Sequence, residues 1–468
     1  MNSKTLIPHE DIDEQFDYMN RVLELLNDKE RYICIQTYGC QQNEADSERL
    51  AGMARQMGFV FTDLPSEADV ILINTCAIRE HAELKALSIT GQFKHLKEIN
   101  PSLKIGICGC MVSQEHRLID VKRKYPYVDF LFGTEALYRF PMILYNVYTT
   151  EKRQFYENND CGNIAEGLPI SRASGFRAWV SIMYGCDNYC TYCVVPYVRG
   201  RERSRQREAI LDEVRSLASE GYREITLLGQ NVNSYGSDID NNYTFSDLLM
   251  DICDIDGDFL VRFMTSHPKD VSHLLIDVIA DQPKIAKQFH LPLQSGSDRI
   301  LAAMNRRYTA RVYRETVDYM RYRMPDITLS TDIIVGFPGE TEEDFEETIR
   351  ILETIRFDSI YSFVYSKRRG TKAGKMEEQI SPEIKKKRFK RLLDVQNRIS
   401  YEKNQAYIGK TINVLVEGRS KTDSTRLTGR NEKGRLIHFE GCDHLTGKII
   451  PVMVERAETY ALYGHIEI

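Results

Sequence analysis

Short apolar runs and longer amphipathic stretches alternate along most of this chain. Between Arg31 and about Tyr148 the pairing occurs three times, in YICIQTYGCQQNEADSERLAGMARQMG, ADVILINTCAIREHAELKALSI and LKIGICGCMVSQEHRLIDVKRKY. Each reads as a buried strand followed by a helix, which predicts a parallel α/β sheet. A second series begins near Ala173, with strands AWVSIMYGC, EITLLG, FLVRFMT, QFHLPL, TLSTDIIVG and SIYSFVYS separated by helical patterns. Six such units predict a partial TIM-like (β/α)6 barrel, with its chemistry at the carboxyl ends of the strands. From about Tyr407 the pattern shortens to TINVLVEG, TRLTGR, RLIHFEG, GKIIPVMVERAE and YALYGHIEI, strands with glycine-marked turns that predict a small antiparallel β-barrel.

Two stretches fall outside these series. The spacing of Phe16, Met19, Val22, Leu23 and Leu26 predicts a short helix in a peripheral N-terminal extension. Residues 151–172 are polar, contain Gly and Pro and lack periodicity, so they read as a linker, with Cys161 as a lone free thiol. The expected division is therefore 1–30 extension, 31–150 N-terminal α/β domain, 151–172 linker, 173–402 barrel domain and 403–468 C-terminal barrel.

Composition narrows the class. With 468 residues, 42% hydrophobic and 28% charged, the chain has the makeup of an ordinary globular protein of about three domains. A net charge of −6 gives no global sign of a polyanion partner. Locally the balance reverses: between Lys367 and Arg391 eleven Lys or Arg face three Glu, a run that reads either as a solvated helix face or, beside a catalytic domain, as the footprint of a nucleic acid, the reading favoured here. The N-terminus lacks the basic and apolar regions of a signal peptide, and no apolar run reaches membrane-spanning length. Eleven cysteines in such a chain suggest a reducing cytoplasm, no disulfides and cysteines used for metal.

The cysteines fall into two sets. Cys186, Cys190 and Cys193, in GCDNYCTYC, have CxxxCxxC spacing. Three thiolates so placed can hold one four-iron four-sulfur (4Fe-4S) cluster and leave one iron without a protein ligand, three merely buried cysteines being one alternative. Zinc sites, the competing use, usually draw on four ligands in CxxC pairs. Cys40, Cys76 and Cys110 each sit at or just past the end of a predicted strand, 36 and 34 residues apart. In parallel sheets ligands gather beyond those ends, so the three suit a second cluster; buried small hydrophobes are the alternative. Glycines beside Cys40 and Cys110 favour the ligand reading by letting backbone amides approach a sulfide. Cys34 and Cys108 lie within strands and read as core residues.

CxxxCxxC with an aromatic residue, Tyr192, before its last cysteine resembles the radical S-adenosylmethionine (SAM) superfamily. An N-terminal domain with three strand-end cysteines ahead of such a core is similar to the methylthiotransferase family. LLGQNVNSY, SHP, HLPLQSGS and DIIVGFPGET follow in the order and setting of that family. The resemblance implies that the open iron chelates SAM and that a 5′-deoxyadenosyl radical forms there. It implies that the strand ends line the SAM pocket, making Gly229, Gln230, Asn231, Ser266, His267, Gln294, Ser295 and Gly336 its candidate residues with Tyr192. It further implies that Cys40, Cys76 and Cys110 hold the sulfur-donating cluster, and that two SAM molecules are used per turnover. LVEGRSK, LTGR and LYGHI resemble the TRAM domain, an RNA-binding module.

VRGRERSR places Arg199, Arg201, Arg203 and Arg205 on alternate positions, which on an extended segment point one way and would form a cationic edge for substrate phosphate or the SAM carboxylate. TYGCQQNEADSE and GCDNYCTYCVVPYVRGRERSR look most like the branch acting on isopentenyl-adenosine beside the tRNA anticodon, although Gln42 stands where Met is expected. The resulting expectation is a monomeric, cytoplasmic enzyme that adds a methylthio group to carbon 2 of that base, fed by an external electron donor. The alternatives are the same chemistry on threonylcarbamoyl-adenosine or a ribosomal-protein aspartate, and a non-catalytic iron–sulfur protein that binds RNA or senses redox state.

Overall fold

The computed structural model describes residues 6–467 other than 27–28, 78–79, 157–162 and 240–241, so Cys161 lies outside the described residues. Six strands, β1 (Arg31–Tyr38), β2 (Phe59–Phe61), β3 (Val70–Thr75), β4 (Lys104–Gly109), β5 (Phe130–Phe132) and β6 (Gln154–Tyr156), form a parallel sheet in the order β2-β1-β3-β4-β5-β6. Its helices are α1 (His9–Leu26), α2 (Gln41–Gln56), α3 (Glu80–Ile99), α4 (Glu115–Lys124) and α5 (Phe140–Thr150). Val70 and Leu72 pack with α1, α2 and α5 on one face, and Ile71 and Ile73 with α3 and α4 on the other. Burial on both faces explains why VILINT is apolar without alternation. Strand order reverses between β1 and β3, which opens a crevice beyond their carboxyl ends.

The extension and the linker differ from expectation. Met19 and Val22 of α1 have no exposed surface, so this helix is part of the N-terminal core and not a peripheral element. The linker carries β6, which adds to the sheet, and Ile164, whose carbonyl accepts from the Ile7 N–H at 2.9 Å. Short amphipathic segments are hard to place from pattern alone because their partners are distant in sequence.

The second layer holds β7 (Arg177–Ser181), β8 (Met183–Tyr184), β9 (Arg203–Ser204), β10 (Glu224–Leu228), β11 (Leu260–Phe263), β12 (Gln288–His290), β13 (Thr328–Val335) and β14 (Ser359–Val364). Parallel triplets β7-β10-β11 and β12-β13-β14 are joined through Val261, whose amide donates to the Lys284 carbonyl at 2.7 Å. The expected six strands of a partial barrel are thus present. The short helix α6 (Val195–Val198) follows the cysteine loop, and α7 (Arg207–Ser219), α8 (Phe245–Cys253), α9 (His273–Asp281), α10 (Asp298–Ala303), α11 (Ala310–Arg323) and α12 (Glu342–Ile355) alternate with the strands.

Helix α13 (Pro382–Gln405) packs on β14 and leads to a closed five-strand barrel of β15 (Thr411–Arg419), β16 (Leu427–Asn431), β17 (Leu436–Phe439), β18 (Ile449–Ala457) and β19 (Leu462–Ile466). It is antiparallel except for the β17–β19 pair. Arg262 of β11 donates to the carbonyls of Asn431 and Glu432 at 2.9 and 2.8 Å, docking this barrel on the central layer.

Because Met19 fills the apolar layer between α1 and the sheet, Met19→Ala is expected to cost about 2–5 kcal/mol. Leu25, which is 44% exposed, is expected to tolerate Ala within about 0.5 kcal/mol. Urea unfolding of both variants, followed by circular dichroism, checks the contrast.

Candidate functional site

Cys40 is the N-cap of α2, Cys76 follows β3 and Cys110 follows β4, so all three lie at the carboxyl edge of the N-terminal sheet beside its switch point. Cys76 and Cys110 are buried. Asn43, with no exposed surface, organises the edge: its Oδ1 accepts from the Cys40 amide at 3.2 Å, and its Nδ2 donates to the Thr75 carbonyl at 3.2 Å. The neighbouring glycines are also required by packing. A Cβ on Gly39 would lie 2.3 Å from Asn43 Oδ1, and one on Gly109, at φ +92°, 2.5 Å from Asn74 Oδ1. They make room for the asparagine clasp. The Cys40 thiol is pulled down to about 6, chiefly by a hydrogen bond from Cys76 and further by Arg199. Burial pushes the Cys110 thiol up, against the pull of Arg199.

The second cysteine set lies on the loop between β8 and α6. Gly185, at φ +76°, has no space for a side chain, since a Cβ would meet the Arg201 carbonyl at 1.9 Å. Each sulfur has a nitrogen nearby: Asn188 Nδ2 donates to Cys186 at 3.3 Å, the Val195 amide to Cys193 at 3.4 Å and Arg306 to Cys190 at 3.4 Å. Burial pushes Cys186 up to about 11 and Cys193 up to about 12. Such thiols become thiolates when metal compensates their charge. Among the described residues no three His, Cys, Asp or Glu side chains are grouped to hold a single ion.

The two sets meet across one short segment. Val194, next to Cys193, and Val198 pack in one apolar cluster with Cys110 and Ala77. Arg199 then donates to Asp46 of α2 at 2.7 Å, with both side chains about 5% exposed. Gln42 adds a further link, donating to Ser181 of β7 at 2.8 Å.

The strand-end candidates divide by what they touch. Asn231 Oδ1, Ser266 Oγ and His267 Nε2, beyond β10 and β11, are buried and have no hydrogen-bond partner among the described residues. Unpaired buried polar atoms cost roughly 1–3 kcal/mol each, and their chemistry fits a polar ligand such as SAM. Burial lowers His267 to about 2, keeping the ring neutral. Thr265 and Gln294 hold positive φ of 71° and 72°, strain that often marks a functional site. Gln230 instead accepts from the Gly185 amide at 2.6 Å and braces the cysteine loop. Ser295 faces Thr348 of α12, the Gly336 amide donates to Glu340, and half-buried Tyr192 packs against the apolar cluster that contains Ile300 and Phe337.

The arginines do not form the expected cationic edge. The chain enters α6 and turns at Arg199 instead of running extended, and this breaks the alternation. Arg199 pairs with Asp46, Arg205 with Glu166 and Glu213, and Arg203, also buried, donates to the Arg199 carbonyl; only Arg201 is exposed, on Asp187. The basic run is likewise partly consumed, with Arg388 on Glu340 and Arg391 on Glu346. Sequence reading missed Asn43, Asp46, Glu202 and Arg306. Glu202, pushed up to about 8 by burial and by Asp187 and Asp270, has a buried oxygen without a partner. None of the four lies in a spacing pattern of its own. A cleft shares Asp46 and Arg199 and is otherwise lined by Arg49, Glu135, Tyr184 and Arg203, among others, apart from the strand-end candidates.

Since the Asp46–Arg199 pair is buried, Asp46→Ala leaves a guanidinium uncompensated, and the expected cost is about 3–5 kcal/mol. Calorimetry should show a clear fall in the unfolding temperature; an unchanged one would mean that water already reaches Arg199.

Residues 32–133 match uncharacterized protein family UPF0004, residues 180–352 the radical SAM superfamily and residues 405–466 the TRAM domain. In fold, 74% of this chain resembles 77% of the radical SAM methyltransferase TsrM of Kitasatospora setae, with a TM-score of 0.54 at 13% identity. A protein of Thermoanaerobacter pseudethanolicus named tRNA-2-methylthio-N(6)-dimethylallyladenosine synthase is 47% identical over 100% of this chain and 99% of its own length. Proteins of the same name from Acetivibrio thermocellus, over 97% of this chain and 94% of its own, and from Clostridium beijerinckii, over 97% and 99%, are each 49% identical. By this full-length similarity the chain belongs to the tRNA-2-methylthio-N(6)-dimethylallyladenosine synthase family, within the radical SAM superfamily, whose members use a 4Fe-4S cluster and SAM.

Proposed function

We propose that this protein adds a methylthio group to carbon 2 of N6-dimethylallyl (isopentenyl) adenosine next to the tRNA anticodon. The observation that carries the reading is the packing of Val194 and Val198 on Cys110 and Ala77, which sets two three-cysteine sites side by side. Cys186, Cys190 and Cys193 would hold the cluster that binds SAM, and Cys40, Cys76 and Cys110 the one that handles sulfur. When bound, these groups supply the radical and sulfur chemistry.

The chain's own residues do the positioning. Asn231, Ser266 and His267 offer unpaired buried polar atoms to SAM at the strand ends. His267, neutral at working pH, serves as a hydrogen-bonding group and not as a charge. Lys367, Arg369, Lys372, Lys375, Lys386, Lys387 and Lys390 keep their basic groups toward solvent and offer them to RNA phosphates, alongside the C-terminal barrel. The functional division is an N-terminal sulfur-handling layer, a central SAM-binding barrel and an RNA-binding barrel after about residue 403. No helix among the described residues is long and apolar enough to cross a membrane. A monomer in the cytoplasm, supplied by a separate electron donor and using two SAM per turnover, completes the proposal.

The test is anaerobic. Iron and sulfide are reconstituted, then SAM, a reductant and an anticodon stem-loop carrying the dimethylallyl base are added. Both 5′-deoxyadenosine and a methylthio mass shift on the RNA are expected. Cys76→Ala should keep the first and lose the second by at least tenfold. Deoxyadenosine formation without any RNA product in the unaltered protein would mean a different substrate.

A further inference from the structure

Arg306 differs from four other buried arginines. It is 7% exposed, and its hydrogen-bond partners include no carboxylate: Nε donates to the Tyr308 hydroxyl at 2.9 Å, Nη2 to the Pro292 carbonyl at 2.9 Å and Nη1 to Cys190 Sγ at 3.4 Å. Arg199, Arg205, Arg262 and Arg388 are comparably buried, and each has a carboxylate at 2.6–2.8 Å. Among the described residues none lies within ion-pair distance of Arg306. A desolvated cation without a counter-charge is costly. The geometry therefore calls for negative charge to arrive at Cys190.

The frame around this arginine is rigid. The Tyr308 hydroxyl also donates to the Leu293 carbonyl at 2.7 Å, fixing the acceptor that orients Nε. Asn305, at φ +59°, donates to the carbonyls of Asn188 and Tyr189 at 3.0 and 3.1 Å, which clamps the cysteine loop onto the turn carrying Arg306. With two arms of the guanidinium occupied, the third is directed at the sulfur.

We infer that Arg306 is a positioning residue for the radical-generating site, holding a fixed positive charge against Cys190 so that the cluster there accepts an electron more easily. The inference rests on the proposed assignment of Cys186, Cys190 and Cys193 to that cluster. Reduction adds one negative charge, so a nearby cation stabilises the reduced form more than the oxidised one and raises the potential.

The test is an EPR-monitored redox titration of reconstituted full-length protein, reading the signal that changes on adding SAM. Arg306→Gln, at parental iron content, is expected to shift the midpoint to a more negative potential. Its deoxyadenosine formation should lag most with a weak reductant and recover with a stronger one. Arg306→Lys, which keeps the charge but not the fork, should stay closer to the parent. An unchanged midpoint in Arg306→Gln, or an equal shift in both variants, overturns the inference. If Arg306→Gln fails to load iron, Arg306→Lys must load it; failure of both also counts against the charge. Absence of any SAM-responsive signal in the parent would be a failure of the cluster assignment itself, a separate result.

Discussion

The contact between Val194, Val198 and Cys110, locked by the Arg199–Asp46 pair, is the constraint on which the arrangement depends. The stretch from Cys193 to Arg199 begins with a cysteine of one site and ends on a side chain facing the other. Apolar packing sets the distance between the layers, and the buried ion pair sets their register, because an unpaired guanidinium there would be expensive.

Each cysteine site has groups close by that can offset negative charge on a sulfur. Cys40 caps the N-terminal end of α2, where the helix dipole favours an anion, and Arg199 stands close by. Cys190 has Arg306, and the other two sulfurs of its loop accept from Asn188 and from the Val195 amide. The unpaired oxygens and nitrogen of Asn231, Ser266 and His267 are a polar counterpart, buried atoms whose hydrogen-bonding capacity is left for a ligand. Fold stability is thus given up at the same strand ends where binding would restore it.

Much of this was readable in the sequence because strand-then-cysteine is a local pattern. The three N-terminal units, the six central strands and the C-terminal barrel all follow from apolar periodicity, and Cys34 and Cys108 lie in the core as their in-strand positions imply. What could not be read depends on long-range partners. Helix α1 looks peripheral until α5 and the sheet cover Met19, and β6 is too short to announce itself. The alternation of Arg199, Arg201, Arg203 and Arg205 suggests an extended edge only if the backbone stays extended, and the turn at Arg199 and Gly200, the latter at φ +75°, prevents that. Arg306 and Asp46 carry no local signature, since their roles arise from residues over a hundred positions away.

The most direct check on the central claim is an iron count with Mössbauer spectroscopy on reconstituted protein and two triple variants. Two sites predict about eight irons per chain in the parent. Replacing Cys40, Cys76 and Cys110 with Ala should leave about four, and so should replacing Cys186, Cys190 and Cys193. A parent that binds only about four irons, all lost with the second triplet, would contradict a two-cluster site.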